Sequence, residues 1–306
     1  MRALRGLLWI VLALSLPALA LAQPKYPLRV EPTPDARPTW LPAPAPAGIL
    51  DRDVIAYEQQ GFILVKIGPA APERLDSGRF PAVSPRGDLL ALSPDTRIGV
   101  KLVDLANPGL HTRFLPSFTR IAEIAFSPDG SKLACRSDSR IDIVDPMPGV
   151  SWPQTVTSSL TGTQSLQGFS PDGTALTVIG PAQVTWYKLT GQVLRQEPIP
   201  APAAMPAQPG AATQCLPSPA DAQLQLVARN GALFLFETKT STHFRLTPPT
   251  MDAAQAAWTP DGRRIYFAGK PAASTDGASK IYRINADGTG LTEIDTGRAP
   301  SVGTRS

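Results

Sequence analysis

One four-residue motif recurs along this chain at a nearly constant spacing, and it limits the folds that the chain can adopt. Each copy stands between two short apolar runs. Its Ser or Thr occupies positions 84, 127, 170, 218 and 259, with steps of 43, 43, 48 and 41 residues. The full copies are Ser127-Pro128-Asp129-Gly130, Ser170-Pro171-Asp172-Gly173 and Thr259-Pro260-Asp261-Gly262, and the looser copies are Ser84-Pro85-Arg86-Gly87 and Ser218-Pro219-Ala220-Asp221.

The chemistry of the motif predicts a tight turn. Proline in second place supplies the φ of about −65° that a type I turn requires at that position. The Asp side chain can bond its own backbone, and Gly can adopt the left-handed conformation that reverses the chain. Apolar runs on both sides make each unit a β-hairpin. We therefore interpret these residues as structural turns.

The repeat length predicts the architecture. Units of about 40–45 residues with several short strands are typical of β-propeller blades. A β-sandwich is disfavoured because nothing in it requires the turn chemistry to repeat at one period. The long step of 48 residues reflects a Pro-Ala-rich loop at 198–212. We predict an all-β, six-bladed propeller.

The sixth blade is predicted from an incomplete repeat at the end of the chain, which contains a first strand alone. Residues 295–302 echo residues 76–83 position by position, and the chain ends soon afterwards at Ser306. The unit that follows residue 49 lacks a first strand, so residues 299–303 are predicted to supply it and close the ring. The predicted blades are 49–77 with 298–304, 78–118, 119–162, 163–200, 211–250 and 251–297.

Residues 1–22 have the pattern of a secretory signal. Arg2 and Arg5 form a charged start, an apolar run follows, and a small-x-small pattern ends at Ala22 before Gln23. Pro17 interrupts the run, which is shorter than the ~20 apolar residues of a spanning helix. These features predict cleavage, a periplasmic or secreted location, and no transmembrane segment in the mature chain. We further expect a monomer.

Residues 23–48 form a predicted linker that is rich in proline. Such a density of proline removes backbone donors and favours extended polyproline geometry. The linker is predicted to be a semi-rigid tether. Alternatively, it is a docking peptide for a partner, with Trp40 and Leu41 as its anchor.

Charge and cysteine content exclude some functions. Loss of Arg2 and Arg5 with the signal lowers the formal charge from +4 to +2. This charge is too small for an electrostatic nucleic-acid binder, and no basic stripe is present. Cys135 and Cys215 fall in blades that are not neighbours, so we expect two free, buried thiols.

No catalytic, cofactor-binding or metal-binding constellation is visible in the sequence. His111 and His243 are placed where outer strands should start, and the sequence has no zinc spacing, serine-hydrolase elbow or phosphate loop. The loop at 285–289 resembles a short calcium loop but lacks further carboxylates. Polar residues on innermost strands are the candidates for channel lining, either around a wet channel or towards a ligand: Glu123, Gln214 and Gln255.

The blade pattern resembles the WD-repeat-like blade of TolB-type periplasmic propellers over residues 50–306. The resemblance rests on the apolar run, Ser-Pro-Asp-Gly, the second apolar run, and the later strand before Asn285-Ala286-Asp287-Gly288-Thr289-Gly290. It implies six blades with the chain end completing the first. TolB-type translocation proteins carry a mixed α/β domain before the propeller, and residues 23–48 are too short to form one.

These features predict an exported, non-enzymatic propeller that binds a protein or an envelope component. No cofactor is expected. The alternative is an enzyme or a binder of small sugars or peptides that acts at the mouth of the central channel, with Glu123 as its principal residue.

Overall fold

The computed structural model describes residues 38–42, 52–107, 112–147, 152–199, 212–274 and 278–305. The predicted signal at 1–22 and most of the predicted linker lie outside these residues, as does His111. The described residues belong to one compact unit. Within the described part of the chain, no helix is long and apolar enough to cross a membrane.

All regular structure in the described part of the chain is β. In chain order, the strands of its first half are β1 (Asp53–Gln59), β2 (Phe62–Ile67), β3 (Glu73–Ser77), β4 (Arg79–Val83), β5 (Leu89–Ser93), β6 (Ile98–Asp104), β7 (Thr112–Thr119), β8 (Ile121–Phe126), β9 (Leu133–Ser137), β10 (Arg140–Val144), β11 (Gln154–Thr157) and β12 (Ser165–Phe169).

The second half continues the same alternation of short strands and turns. Its strands are β13 (Ala175–Ile179), β14 (Gln183–Lys188), β15 (Val193–Pro198), β16 (Ala212–Pro217), β17 (Leu224–Arg229), β18 (Ala232–Glu237), β19 (Thr242–Arg245), β20 (Met251–Trp258), β21 (Arg264–Pro271), β22 (Lys280–Asn285), β23 (Thr292–Thr296) and β24 (Arg298–Thr304).

The strands form six antiparallel sheets of four, which are the six blades of a propeller. The second to sixth blades each use four consecutive strands, from β4–β7 to β20–β23. The first blade has the order β24-β1-β2-β3, so its innermost strand comes from the end of the chain. Ala56 pairs with Ser301 and Asp53 with Thr304. The predicted six-bladed ring and its split first blade are therefore confirmed.

The recurring motif forms the turn between the first two strands of a blade. In the copy after β8, the Gly130 amide donates to the Ser127 carbonyl at 2.8 Å. The Ser127 hydroxyl donates to Asp129 at 2.6 Å and accepts from the Lys132 amide at 2.9 Å. This hydroxyl bond, together with the bonds that Asp129 accepts from Ser131, lowers the pKa of Asp129 to about 2. Gly130 has φ of 75°, where a side chain would be strained.

Blades have no separate cores, and the apolar interior lies between neighbouring blades. The buried apolar residues form six clusters, and each cluster joins two adjacent blades. Strand residues alternate between the two faces, so a blade packs against both neighbours. Cys135 and Cys215 are free thiols buried in two different clusters, as expected. Burial raises the pKa of Cys215 to about 12, which keeps that thiol unreactive.

The junction between the sixth and first blades also contains a buried ion pair. Arg264 Nη2 lies 2.8 Å from Asp53 Oδ1, and both side chains are 1% exposed. The Tyr266 hydroxyl donates to the other oxygen of Asp53 at 2.7 Å. Burial raises the pKa of Asp53, and the Tyr266 bond and Arg264 charge oppose that rise. The interaction joins β1 to β21 across the junction where the ring closes.

Deletion of residues 298–306 tests the split blade. The deletion removes β24, exposes the edge of β1 and opens the ring. We expect the free energy of unfolding to fall by more than about 5 kcal/mol, the lower end of the stability of ordinary domains. Thermal melting monitored by circular dichroism measures this change. A synthetic peptide of residues 298–306 should restore part of the lost stability, whereas an unchanged melting temperature would contradict the closure.

Substitution of Arg264 by Met tests the buried ion pair. We expect a loss of about 3–5 kcal/mol because the Asp53 carboxylate is left buried without its counter-charge. Adding Asp53→Asn should recover much of this loss, since Asn can still accept from Tyr266. Urea unfolding measures both variants. The control is Arg120→Met, which removes an exposed pair with Asp138 at 3.5 Å and should cost under about 1 kcal/mol.

Candidate functional site

The innermost strands of the blades surround a central channel with a cavity of about 740 Å³. This size falls within the range of roughly 300–1,000 Å³ that is usual for ligand sites. Strands β4, β8, β12, β16, β20 and β24 all contribute to its wall. The channel is therefore built from the first strand of every blade, including the strand supplied by the chain end.

Glu123, Gln214 and Gln255 all border this cavity. They come from β8, β16 and β20, and each stands four residues before the Ser or Thr of its turn. Among the described residues that line the cavity, Glu123 is the one with an ionisable side chain. Pro128 and Pro260 of the turn motifs also border the cavity, so the turns lie at one end of the channel.

The Glu123 carboxylate binds the neighbouring blade. Its Oε1 accepts from the Ser165 hydroxyl at 2.8 Å, and its Oε2 accepts from the Leu166 amide at 2.5 Å. Arg136 Nε lies 3.7 Å from Oε2. Burial raises the pKa of Glu123, while the Ser165 bond, the Arg136 charge and the Leu166 bond act in the opposite direction. The carboxylate is thus held in place by groups of the third and fourth blades.

The two glutamines make the same kind of bond. Gln214 accepts from the Ala256 amide at 2.5 Å and donates to the Ala256 carbonyl at 3.3 Å. Gln255 accepts from the Ala299 amide at 3.0 Å. Each side chain therefore satisfies backbone groups in the innermost strand of the next blade. We call these side-chain-to-backbone bonds between adjacent blades the clasps.

Three further clasps are not among the sequence predictions. Gln167 accepts from the Cys215 amide at 3.1 Å, and Ser301 accepts from the Val83 amide at 2.9 Å. Glu58 accepts from the Phe80 amide at 2.7 Å. A signal for Gln167 exists in the sequence, because it stands three residues before Ser170. Glu58 lies on β1, the second strand of its blade, so its distance from a turn motif does not predict its role.

Local backbone irregularity explains why these side chains can reach the next blade. Every innermost strand has a break in its register with the second strand, such as that between Ala254 and Ala256. A β-bulge of this kind reorients a side chain and frees a backbone amide from the ladder. Gln255 sits within such a break at φ of 49°, and Ala299 has φ of 50°. The clasps thus satisfy amides on the innermost strands, each of which is an edge of its sheet with no further strand beside it.

The turn end of the channel is lined by apolar side chains. Phe126 and Trp258 are half-buried there, and each directly precedes its turn. The Trp258 indole donates to the Leu216 carbonyl at 3.2 Å, which fixes its ring. We call this surface the apolar mouth, and its cavity-lining residues are Val83, Pro85, Phe126, Pro128, Phe169, Pro217, Pro219, Trp258, Pro260 and Val302.

The remaining sequence candidates lie away from the channel. His243 is on the outermost strand β19, where its ring contacts Phe234 at a centroid distance of 5.9 Å. The loop at 285–289 is a hairpin turn in which Asp287 accepts from the Thr289 amide at 2.9 Å. In the described part of the chain, no group of three His, Cys, Asp or Glu side chains is placed to hold a metal ion.

Substitution of Gln214 by Ala tests the clasps. It removes the side-chain partner of the Ala256 amide and carbonyl, and we expect a loss of about 1–3 kcal/mol in the free energy of unfolding. Urea unfolding measures this loss. The matched control is Gln196→Ala on the exposed outer strand β15, whose amide reaches Thr185 at 3.5 Å. Equal stabilities of the two variants would contradict the clasp interpretation.

Comparison with known proteins gives structural matches alone. No protein-family model matches the chain, and no curated protein matches it. A structure from Agrobacterium tumefaciens assigned as TolB matches with a TM-score of 0.59 at 17% identity, over 81% of this chain and 91% of that one. TolB from Acinetobacter baumannii matches with a TM-score of 0.59 at 18% identity, over 86% and 68%.

A structural match at 17–18% sequence identity shows a shared fold and does not show a shared function. In its fold, the chain is a TolB-like six-bladed β-propeller.

Proposed function

We propose that the protein is an exported, non-enzymatic propeller that binds a protein or an envelope component at the apolar mouth. Export rests on the charged, apolar and small-x-small pattern of residues 1–22. The likeness to TolB structures supports the propeller fold alone. The composition of the mouth supports a protein segment as the occupant.

The observation that carries the proposal is the contrast between the wall and the mouth of the channel. The polar groups of the wall at Glu123, Gln167, Gln214 and Gln255 bind backbone or hydroxyl groups of the next blade. A catalytic acid or base needs a proton-transfer partner in the substrate, and these side chains already hold protein partners. The wall therefore favours a structural role over a catalytic one.

The mouth offers a surface suited to a protein segment. Phe126 and Trp258 are aromatic side chains of the type enriched in protein interfaces. Proline at positions such as 128 and 219 holds its φ fixed, so little conformational freedom is lost on binding. Pro128 and Pro219 are exposed at this end. An apolar loop or an extended peptide of a partner could bury these rings and pyrrolidines together.

One observation favours a second candidate, a small ligand in the channel. Glu123 is the one ionisable group on the described lining of a cavity of about 740 Å³. A ligand with an ammonium group, such as the amino terminus of a short peptide, could pair with this carboxylate in surroundings of low dielectric.

Variants at the apolar mouth and at Glu123 distinguish protein binding from small-ligand binding. The full chain is immobilised and exposed to envelope extract, and the captured proteins are quantified. We expect Pro128→Arg with Pro219→Arg to abolish capture, because charge is introduced at the apolar mouth. Pro198→Arg, at an exposed position on the outer strand β15, should retain it. No partner above background, or equal capture by all variants, would contradict the proposal.

A thermal-shift screen of sugars and short peptides tests the second candidate in parallel. A melting-temperature rise that Glu123→Gln removes would favour the small-ligand function. A rise that survives this substitution would place the ligand elsewhere.

A further inference from the structure

Residues 38–42 lie before the first strand and pack against blades far along the chain. Trp40 and Leu41 contact the apolar cluster that joins the fifth and sixth blades. The Leu41 amide donates to the Pro38 carbonyl at 3.2 Å, so the segment forms a turn. Trp40 and Leu41 are partly buried on the propeller, while Thr39 between Pro38 and Trp40 is exposed.

The surface beneath the segment is apolar and belongs to both blades. Phe244 of the fifth blade and Met251 of the sixth are partly buried residues that pack against this cluster. Buried aromatic and aliphatic side chains such as Phe267 and Leu233 lie within it. A Trp side chain can bury roughly 150–250 Å² against such a surface. Apolar burial is therefore available without any charged contact.

The segment itself is suited to docking. Pro38 and Pro42 flank the two anchor residues, and proline fixes its own φ. The segment consequently loses less conformational freedom on docking than a flexible peptide would. Trp152 provides a contrast, because it lies on the propeller and remains 80% exposed. The burial of Trp40 is therefore specific to its place in the fold.

We propose that the junction of the fifth and sixth blades is an intramolecular binding surface for a proline-flanked Trp-Leu motif, and that residues 38–42 occupy it. We call the segment the strap. Its anchor lies on blades 5 and 6, whereas β1 begins at Asp53 in the first blade. The strap thus ties the chain to the ring on the far side of the junction that β24 closes. This inference is independent of the proposed function.

Hydrogen exchange measures whether the strap is docked. In the full chain, we expect the amides of residues 244–258 to exchange about tenfold faster in Trp40→Ala than in the wild type, because local opening there becomes easier. Trp40→Phe should retain most of the protection. The matched control is Trp152→Ala, which removes an exposed Trp and should leave exchange at 244–258 unchanged. Equal exchange in Trp40→Ala and the wild type would overturn the proposal.

A synthetic peptide of residues 36–42 tests the surface itself. Added to Trp40→Ala at millimolar concentration, it should restore protection at 244–258. In the wild type it should change little, because a tethered segment competes at an effective concentration of about millimolar. Failure to restore protection in Trp40→Ala would overturn the binding surface.

Dilution separates docking within one chain from exchange between two chains. Protection of 244–258 in the wild type should not depend on protein concentration, and light scattering should give the mass of a monomer. Protection that falls on dilution together with loss of a dimer would mean that the strap of a second copy occupies the surface. That result would overturn the intramolecular assignment.

Discussion

Face-to-face packing of neighbouring blades is the interaction on which the rest of this structure depends. The buried residues divide into six clusters, and each cluster requires two blades. A single four-stranded blade therefore cannot bury its apolar faces alone. The stability of every blade rests on both neighbours, and the ring closes only where β24 pairs with β1. The ion pair between Asp53 and Arg264 is buried at that same closing region.

The channel illustrates how this constraint governs the candidate site. Side chains such as Gln214 and Glu123 on the innermost strands accept from the backbone amides of the next blade. These bonds commit the polar wall to contacts between blades, whereas Pro128 and Pro219 of the apolar mouth are exposed. The three residues that the sequence offers as candidates for channel lining border the cavity and also make contacts between blades.

The sequence predicted the ring well because its signals are local and repeated. The Ser127–Gly130 turn is determined by four adjacent residues, and the missing first strand followed from counting copies. Contacts between distant residues carried no such signal: Asp53 and Arg264 are 211 positions apart and meet only after the ring has closed.

The candidate site was predictable in part, for the same physical reason. Glu123, Gln214 and Gln255 share one offset from their turns, whereas Gln167 is displaced by one position. A bulge changes which residue faces the neighbouring blade, and the position of a bulge cannot be inferred from the spacing of the turns. The burial of Trp40 depends on an apolar edge formed by strands about 200 residues later. No pattern within residues 38–42 could have indicated that edge.

The antiparallel pairing of β1 with β24 has a mechanical consequence. Asp53 pairs with Thr304, and the Arg305 amide donates to the Arg52 carbonyl at 2.9 Å, so the two ends of the propeller lie side by side. A force that pulls these ends apart acts along the hydrogen bonds, which run perpendicular to the strands. The bonds would then break one after another, as in unzipping, and not all at once in shear. Tension between the two ends of the propeller is consequently resisted by one hydrogen bond of the β1–β24 pair at a time.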